Sequence, residues 1–313
     1  MRGRLGRRLL WTLTTIALMS MVAFLLVAIA PGDPVVAELR FMGVPATPNT
    51  VEALRREFDL DAPLPVRYAR WIVRLSRLDL GESIASGRPV AAELARALPW
   101  TLQLAFVSLV MIVALSLSTG LAAALHPYGR LTTFLRGLTI MAISIPVYWL
   151  ALAAVGLGAV VLGWSTVVSD ASLGGLLLPA FILSLAPGLA IGRVVRQRVI
   201  DERLEDHVRL AVALGRSPAQ ILIQDVGVVI GPSLVTMWAT TFGYLLGGAV
   251  VVERIFDRPG LGNLALHAIA ARDYPVLQAY LLCAGVAFVL VNAAADLLSA
   301  WLDPRLRRSR VDD

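Results

Sequence analysis

The sequence contains no lysine, because all 28 of its basic residues are arginine. A Walker A loop needs a lysine to reach the β- and γ-phosphates of a bound nucleotide. The chain therefore cannot hydrolyse ATP by that route. We predict that it is not an ATPase and that it binds no cofactor of its own.

Cysteine and histidine are almost as scarce. The single cysteine, Cys283, lies in an apolar run, which excludes a disulfide framework and a cysteine metal site. The three histidines, His126, His207 and His267, are far apart in sequence. We therefore predict no metal site.

Apolar residues are abundant: they make up 58% of the chain, and the mean hydropathy is +0.75. Soluble domains are usually about 45–50% apolar, so this composition indicates a membrane protein. The net charge of +6 could suggest a nucleic-acid partner. However, the arginines are scattered among the apolar runs and form no basic stripe with interleaved aromatic residues. We therefore predict contact with the lipid bilayer and none with nucleic acid.

Long apolar segments predict an all-α, polytopic membrane fold. A helix needs about 20 residues to cross the hydrocarbon core, and lipid offers no partner to unpaired backbone groups. The six segments of this kind run approximately over residues 9–30, 100–125, 138–163, 174–191, 227–252 and 276–301. The first also resembles a cleaved signal peptide, but its apolar stretch exceeds the usual 7–15 residues or so, which favours an uncleaved anchor.

The distribution of arginine predicts the orientation in the membrane. Four arginines precede residue 9, six lie between residues 193 and 226, and four follow residue 301. Loops rich in arginine remain in the cytoplasm, so both termini are predicted to be cytoplasmic. The predicted regions are a cytoplasmic tail with the first span (1–30), an external helical subdomain (31–99), a five-helix core (100–301) with a cytoplasmic loop (194–226), and a cytoplasmic tail (302–313).

The external subdomain contains two predicted helix starts and one amphipathic helix. Asp33 and Thr47 each precede a proline that suits the first position of a helix. After Pro65, an apolar stripe predicts a helix that packs on the membrane domain or on the lipid headgroups. Direct contact with a substrate is the alternative. The stripe consists of Tyr68, Trp71, Ile72, Leu75 and Leu78.

The stretch 202–222 is polar and lies between two apolar runs. Residues 202–214 are predicted to form a helix with Leu204, Val208, Ala211 and Val212 on one side. Gly215 suits the left-handed position that ends a helix. Ser217, Pro218 and Gln220 predict a capping box that starts the next one. A short helix, a break and a restart would fit a groove in another protein, and a loop lying on the bilayer is the alternative.

Four stretches occur in an order and spacing typical of one family. They are PGDP (31–34), FDLDAPLPVRYARW (58–71) continuing to LDLGESIASGRPV (78–90), EDHVRLAVALGRS (205–217), and GGAVVVERIFDRPGLG (247–262) followed by ARDYPVLQ and LDPRLRR. On these stretches the chain resembles the permease subunits of bacterial ABC importers that move dipeptides, oligopeptides or nickel. The resemblance covers nearly the whole length.

The resemblance implies a type I ABC importer permease and several partners. These are a second homologous permease subunit, two ATPase subunits (or one fused), which use the ATP, and an extracytoplasmic substrate-binding protein. In this family a cytoplasmic loop carries a coupling helix that docks on the ATPase. The residues that fall on its motif are Asp206, Arg209, Ala211, Gly215 and Ser217.

Charged residues elsewhere have less certain roles. An external set could contact the binding protein, hold an outer gate or form ion pairs within its loop: Glu253, Asp257, Arg258, Arg272 and Asp273. Asp296 lies in the last span, where a carboxylate is costly, so it is either paired within the bundle or part of an ion relay.

Small residues and prolines within the spans suggest helix packing or helix breaks. Gly243, Gly247, Gly248 and Ala249 would let the fifth span approach a neighbour closely. Pro179, Pro187 and Pro232 could break or kink their spans.

The substrate is the least determined property. Peptide import is the broader expectation, and the spacing of residues 39–54 from PGDP favours nickel instead. The chain departs from the family pattern at 164–175 and 223–232, which leaves the substrate side and the partner contact open. A secondary transporter would need several intramembrane carboxylates and an inverted repeat. An intramembrane hydrolase would need a cluster of serine, histidine and acid. Neither pattern is evident.

Overall fold

The structure is a computed structural model that describes residues 2–29, 35–36, 39, 43–57, 62–160 and 173–302. Its helices are α1 (Arg2–Ile29), α2 (Pro48–Glu57), α3 (Leu64–Ser76), α4 (Val90–Leu125), α5 (Arg130–Ser144), α6 (Val147–Val160), α7 (Leu173–Glu202), α8 (Asp206–Ala213), α9 (Pro218–Gln220), α10 (Gly227–Gly248), α11 (Val250–Ile255), α12 (Leu261–Ala271) and α13 (Tyr274–Leu302). A π-helical segment, Ile221–Val226, joins α9 to α10. An isolated bridge between Glu82 and Pro89 is the only β pairing in the described residues, so the prediction of a helical fold is confirmed.

Four of the predicted spans coincide with long apolar helices. Within the described ranges, Val90–Leu125, Gly175–Glu202, Pro218–Gly247 and Tyr274–Ala295 are long and apolar enough to cross a membrane. They match the second, fourth, fifth and sixth predicted spans. The first predicted span lies in α1, which is apolar over Thr14–Ile29, a shorter stretch.

The third predicted span is not one straight helix. Helices α5 and α6 meet at an angle of 98°. Ile145, between them, has an extended backbone (φ −89°, ψ 120°) because the ring of Pro146 disfavours the helical conformation in the residue before it. The prediction of an uninterrupted helix over 138–163 was therefore wrong.

The prolines predicted to break helices lie inside continuous ones. Pro179 and Pro187 are within α7, and Pro232 is within α10. Each costs one backbone hydrogen bond, but the helix continues on both sides. Of the two alternatives, helix packing and a helix break, the continuous helices support packing.

The chain divides into two compact units, Met1–Thr101 with Pro259–Val289, and Leu102–Arg258 with Leu290–Asp313. In the first unit, Trp71 of α3 packs with Phe24 of α1 and Leu282 of α13. The hydroxyl groups of Tyr68 and Ser20 lie 2.8 Å apart and form a hydrogen bond. Tyr68, Ile72 and Leu75 join this cluster, which confirms that the apolar stripe packs on the membrane helices. Leu78 does not take part: it is 86% exposed, because α3 ends at Ser76.

In the second unit, α4 and α7 approach each other through glycine. A Cβ atom on Gly120 would lie 2.6 Å from the Cβ of Val195 and 2.7 Å from the carbonyl oxygen of Gly192. The two backbones are therefore in contact, as small residues in membrane helices permit. By contrast, a Cβ on Gly247 would meet none of the described atoms within 4 Å, so within the part of the chain that the structure describes, the close approach predicted for the fifth span does not occur at that residue.

Candidate functional site

The polar stretch after α7 forms a separate short helix, not a single helix from residue 202 to residue 214. Helix α7 ends at Glu202, and α8 starts at Asp206 after Glu205 in an extended conformation. Val208 and Ala211 are buried, as predicted, whereas Leu204 and Val212 are exposed. The turn before Asp206 restarts the helix, so Leu204 no longer shares the face of Val208.

The end of α8 is a Schellman motif centred on Gly215. Gly215 has φ +76°, its N–H donates to the carbonyl of Val212 (3.0 Å), and the N–H of Arg216 donates to the carbonyl of Ala211 (3.2 Å). Glycine takes this left-handed conformation without the strain that a Cβ imposes. The predicted break at this residue is confirmed.

A capping box restarts the helix two residues later. The N–H of Ser217 donates to Oε1 of Gln220 (2.9 Å), and the N–H of Gln220 donates to Oγ of Ser217 (3.3 Å). Pro218 is the first helical residue, where the missing N–H costs nothing. This part of the prediction is also confirmed.

An ion pair closes the break. A guanidinium nitrogen of Arg216 lies 2.7 Å from Oδ1 of Asp225, whose side chain is mostly buried. Asp225 belongs to the π-helical segment, so the pair joins the bend to the start of α10. Sequence reasoning noted Asp225 only as a departure from the family pattern and gave no signal for its partner or for the π-helical segment.

The residues predicted to form the coupling loop have different structural roles. Gly215 and Ser217 shape the break, and Ala211 is buried. Asp206 and Arg209 are exposed and lie 3.4 Å apart, one helical turn from each other. A surface pair of this kind adds little stability, so these two charges are free to meet a partner.

Large apolar side chains protrude from the same stretch. Leu210, Leu214 and Ile223 are 60%, 69% and 70% exposed. We call these three residues, with Leu204 and Val212, the apolar ridge. A group of exposed leucines on a charged segment is typical of a surface that another protein covers.

The external charged residues fall in both units. In the second unit, Glu253 and Arg258 are buried and Asp257 is exposed. Arg258 donates hydrogen bonds to the side-chain oxygen of Gln103 (3.3 Å) and the carbonyl of Gly175 (3.4 Å). Both side chains are therefore buried within the second unit, and their roles in a gate or in contact with a binding protein remain predictions.

In the first unit, Asp273 is a buried anchor. It is 2% exposed and accepts hydrogen bonds from Oγ of Ser83 (2.5 Å) and from the N–H groups of Ile84 (3.3 Å), Ala85 (3.2 Å) and Val276 (3.4 Å). The last of these caps α13. Asp273 thus joins two of the sequence stretches that carry the family resemblance, and its neighbour Arg272 is exposed with φ +56° at the end of α12.

Several predictions fall outside the described residues. They concern PGDP (31–34) with its helix start, most of the loop 164–175 and the side chain of Asp296. In the ranges that are described, no group of three His, Cys, Asp or Glu residues could hold a metal ion.

Comparison with protein families matches both parts of the chain. Residues 114–308 match the family model of the binding-protein-dependent transport system inner membrane component, and residues 1–105 match its N-terminal counterpart.

Relatives cover nearly the full length. A putative peptide transport system permease protein of Brucella abortus (strain 2308) is 34% identical over 96% of this chain and 98% of its own. The glutathione transport system permease protein of Salmonella paratyphi A is 33% identical over 96% of this chain and 97% of its own. A solved structure of the MetNI methionine ABC transporter in inward-facing conformations has a chain that superposes with a TM-score of 0.59 at 19% identity, over 69% of this chain and 98% of that one. That likeness concerns the fold alone. The chain therefore belongs to the family of binding-protein-dependent transport system inner membrane components, the multi-pass inner-membrane permease subunits of ABC importers.

Proposed function

We propose that this permease subunit carries di- or oligopeptides inward across the bacterial plasma membrane. The relatives described above are named for peptide or glutathione transport, and glutathione is itself a tripeptide. Neither name mentions nickel, so nickel is the less favoured cargo. The separate binding protein is expected to select the cargo.

The observation that carries the mechanism is the apolar ridge on a rigid, capped segment. The backbone of this segment is fixed by the ion pair between Arg216 and Asp225, by the capping box and by the Schellman motif. The side chains of Leu210, Leu214 and Ile223 protrude from it. Pre-ordered apolar groups bind a groove without a large entropy cost. We assign this ridge as the surface that docks on the ATPase subunit.

The proposed assembly follows the family. It contains a second homologous permease, two ATPase subunits or one fused subunit, and an extracytoplasmic binding protein. Six spans and cytoplasmic termini, with the regions 1–30, 31–99, 100–301 and 302–313, agree with the distribution of arginine. This chain binds no cofactor, and the ATPase subunits use the ATP.

Force from the ATPase can pass through the second unit along contiguous backbone. Helix α8 follows α7 after a turn of three residues. Helix α7 contacts the backbone of α4 at Gly192 and Gly120. A displacement of α8 would therefore move α7 and α4 together. ATP binding would in this way shift the balance between outward-open and inward-open states.

Substitutions in the apolar ridge test the docking role. In the assembled transporter, L210D together with L214D should abolish co-purification of the ATPase. Each leucine contributes on the order of 1.5–3 kcal/mol when fully buried, so the pair should weaken binding by about a hundredfold or more.

The matched control is Leu78→Asp, which changes a leucine with 86% exposure outside the ridge. This variant should bind the ATPase as the wild type does. The docking role is wrong if the ATPase remains bound to the double variant while the control behaves normally.

A further inference from the structure

A cavity of about 740 Å³ lies in the second unit between α4, α5 and α7. Arg136 of α5 and Arg193, Arg196 and Arg198 of α7 line it, and Asp201 is its one acidic residue. Four arginines and one aspartate give the lining a formal charge of +3. The cavity is therefore strongly cationic.

Carboxylates of the described chain do not neutralise these arginines. Among the described residues, none of the four guanidinium groups has a carboxylate oxygen within 4.0 Å. Oδ1 of Asp201 instead accepts a hydrogen bond from the amide of Gln197 (2.8 Å). The positive charge of the cavity remains available to an external anion.

Arg196 has more hydrogen-bond donors than partners. One terminal nitrogen donates to the carbonyl of Pro127 at 3.4 Å, and its Nε atom is buried with no hydrogen-bond partner among the residues that the structure describes. A guanidinium carries five N–H donors, and a buried donor without a partner destabilises the fold. An anion with several oxygens would satisfy this group.

The neutral polar groups of the cavity are already engaged. The hydroxyls of Thr119, Thr132 and Thr139 each donate to a backbone carbonyl at 2.6–2.7 Å. Recognition therefore falls to the guanidinium groups, whose planar forks match the oxygens of a phosphate.

The remaining wall of the cavity is apolar and includes Leu135, Ile140 and Leu189. The arginines of α7 begin at Arg193, directly after the apolar part of that helix ends at Ile191 and Gly192. At the end of the apolar part of a membrane helix, basic side chains meet lipid headgroups. Basic pockets between helices at this level bind anionic lipids. We propose that this cavity binds a phosphate group, supplied either by the headgroup of an anionic phospholipid or by free phosphate.

Native mass spectrometry of the purified full-length chain tests the proposal. The probes are phosphatidylglycerol, cardiolipin, phosphatidylcholine and inorganic phosphate, each titrated separately. The test variant is R193Q/R196Q, and R136Q on α5 serves as a second variant if the first does not fold. The matched control is Arg130→Gln, which removes an exposed charge on α5 outside the cavity.

For whichever of phosphatidylglycerol, cardiolipin and inorganic phosphate binds the wild type, the dissociation constant should rise about tenfold to a hundredfold in R193Q/R196Q. It should remain unchanged in R130Q. Tight binding of phosphatidylglycerol or cardiolipin that inorganic phosphate does not displace identifies a lipid as the source. Displacement of the lipid by inorganic phosphate identifies free phosphate as the source. The proposal is overturned if neither anionic lipid nor inorganic phosphate binds more tightly than phosphatidylcholine, or if R130Q loses as much binding as R193Q/R196Q. Because the measurement needs no ATPase and no cargo, it is independent of the transport role.

Discussion

Replacing Asp273 should destabilise the first unit more than replacing any other residue of the charged set Glu253, Asp257, Arg258, Arg272 and Asp273. Its carboxylate accepts hydrogen bonds from a hydroxyl and from three backbone N–H groups, and it is buried. In Asp273→Ala, the buried hydroxyl of Ser83 loses its acceptor, at about 1–3 kcal/mol. The cap on α13 is lost as well, at about 0.5–2 kcal/mol. We expect a total of about 1.5–5 kcal/mol.

The assay is the thermal midpoint of the detergent-purified chain, followed by circular dichroism at 222 nm. Asp273→Asn should lie between alanine and the wild type, because its amide keeps one acceptor oxygen but turns an NH₂ group toward N–H donors. Ser83→Ala should cost less, since the carboxylate keeps its three backbone donors.

The control is Asp206→Asn, which removes the same charge from a side chain that is 98% exposed. It should leave the midpoint within experimental error. The anchoring role is refuted if the thermal midpoint of Asp273→Ala equals that of Asp206→Asn. It is also refuted if Asp273→Asn lowers the midpoint as much as Asp273→Ala does.

Three further substitutions test other contacts. Gly192→Ala should lower the unfolding free energy by about 1–3 kcal/mol and so lower the thermal midpoint, because its Cβ would collide with the hydroxyl of Thr119. Gly247→Ala, whose Cβ meets no described atom within 4 Å, should not. Equal midpoints for the two variants would contradict the contact between the helices. Gly215→Asp should fold and insert, since its Cβ meets none of the described atoms within 4 Å and aspartate can adopt the left-handed conformation. It should nevertheless lose transport and co-purification with the ATPase. Co-purification of the ATPase with this variant would contradict the docking role of the bend at Gly215. Trp71→Ala should cost about 3–5 kcal/mol through the cavity left beside Phe24, and a midpoint like that of the wild type would show that this cluster does not stabilise α3.

The sequence predicts best where local chemistry decides the structure. Gly215 and the capping box at Ser217 were correctly predicted, because a left-handed glycine and a serine–glutamine cap depend on residues within one or two turns. The apolar stripe of α3 was also mostly correct, since its period fixes a helix face. Leu78 was the exception, because the residue at which α3 ends was not evident in that pattern.

Contacts between distant residues could not be predicted. Ser83 and Asp273 are 190 residues apart, and only the folded chain brings them together. The effect of proline was equally hard to predict. A helix ends just before Pro146, whereas α7 continues through Pro179. The difference depends on the neighbours that surround each helix, which a single sequence does not reveal. The roles assigned to the coupling loop and the external charges remain predictions.

The π-helical segment Ile221–Val226 sets a rotational offset between the apolar ridge and α10. Its wider turn is visible in the hydrogen bond from the N–H of Gly227 to the carbonyl of Leu222, five residues earlier. Such a turn accommodates one residue more than an α-helical turn, and one residue of an α-helix corresponds to about 100° of rotation. Deleting Gln224, which is not part of the apolar ridge, would leave α10 itself intact while turning Thr236 and Thr240 of α10 toward different neighbours. The rotation of α10 about its own axis is therefore set directly beside the surface that we propose docks on the ATPase.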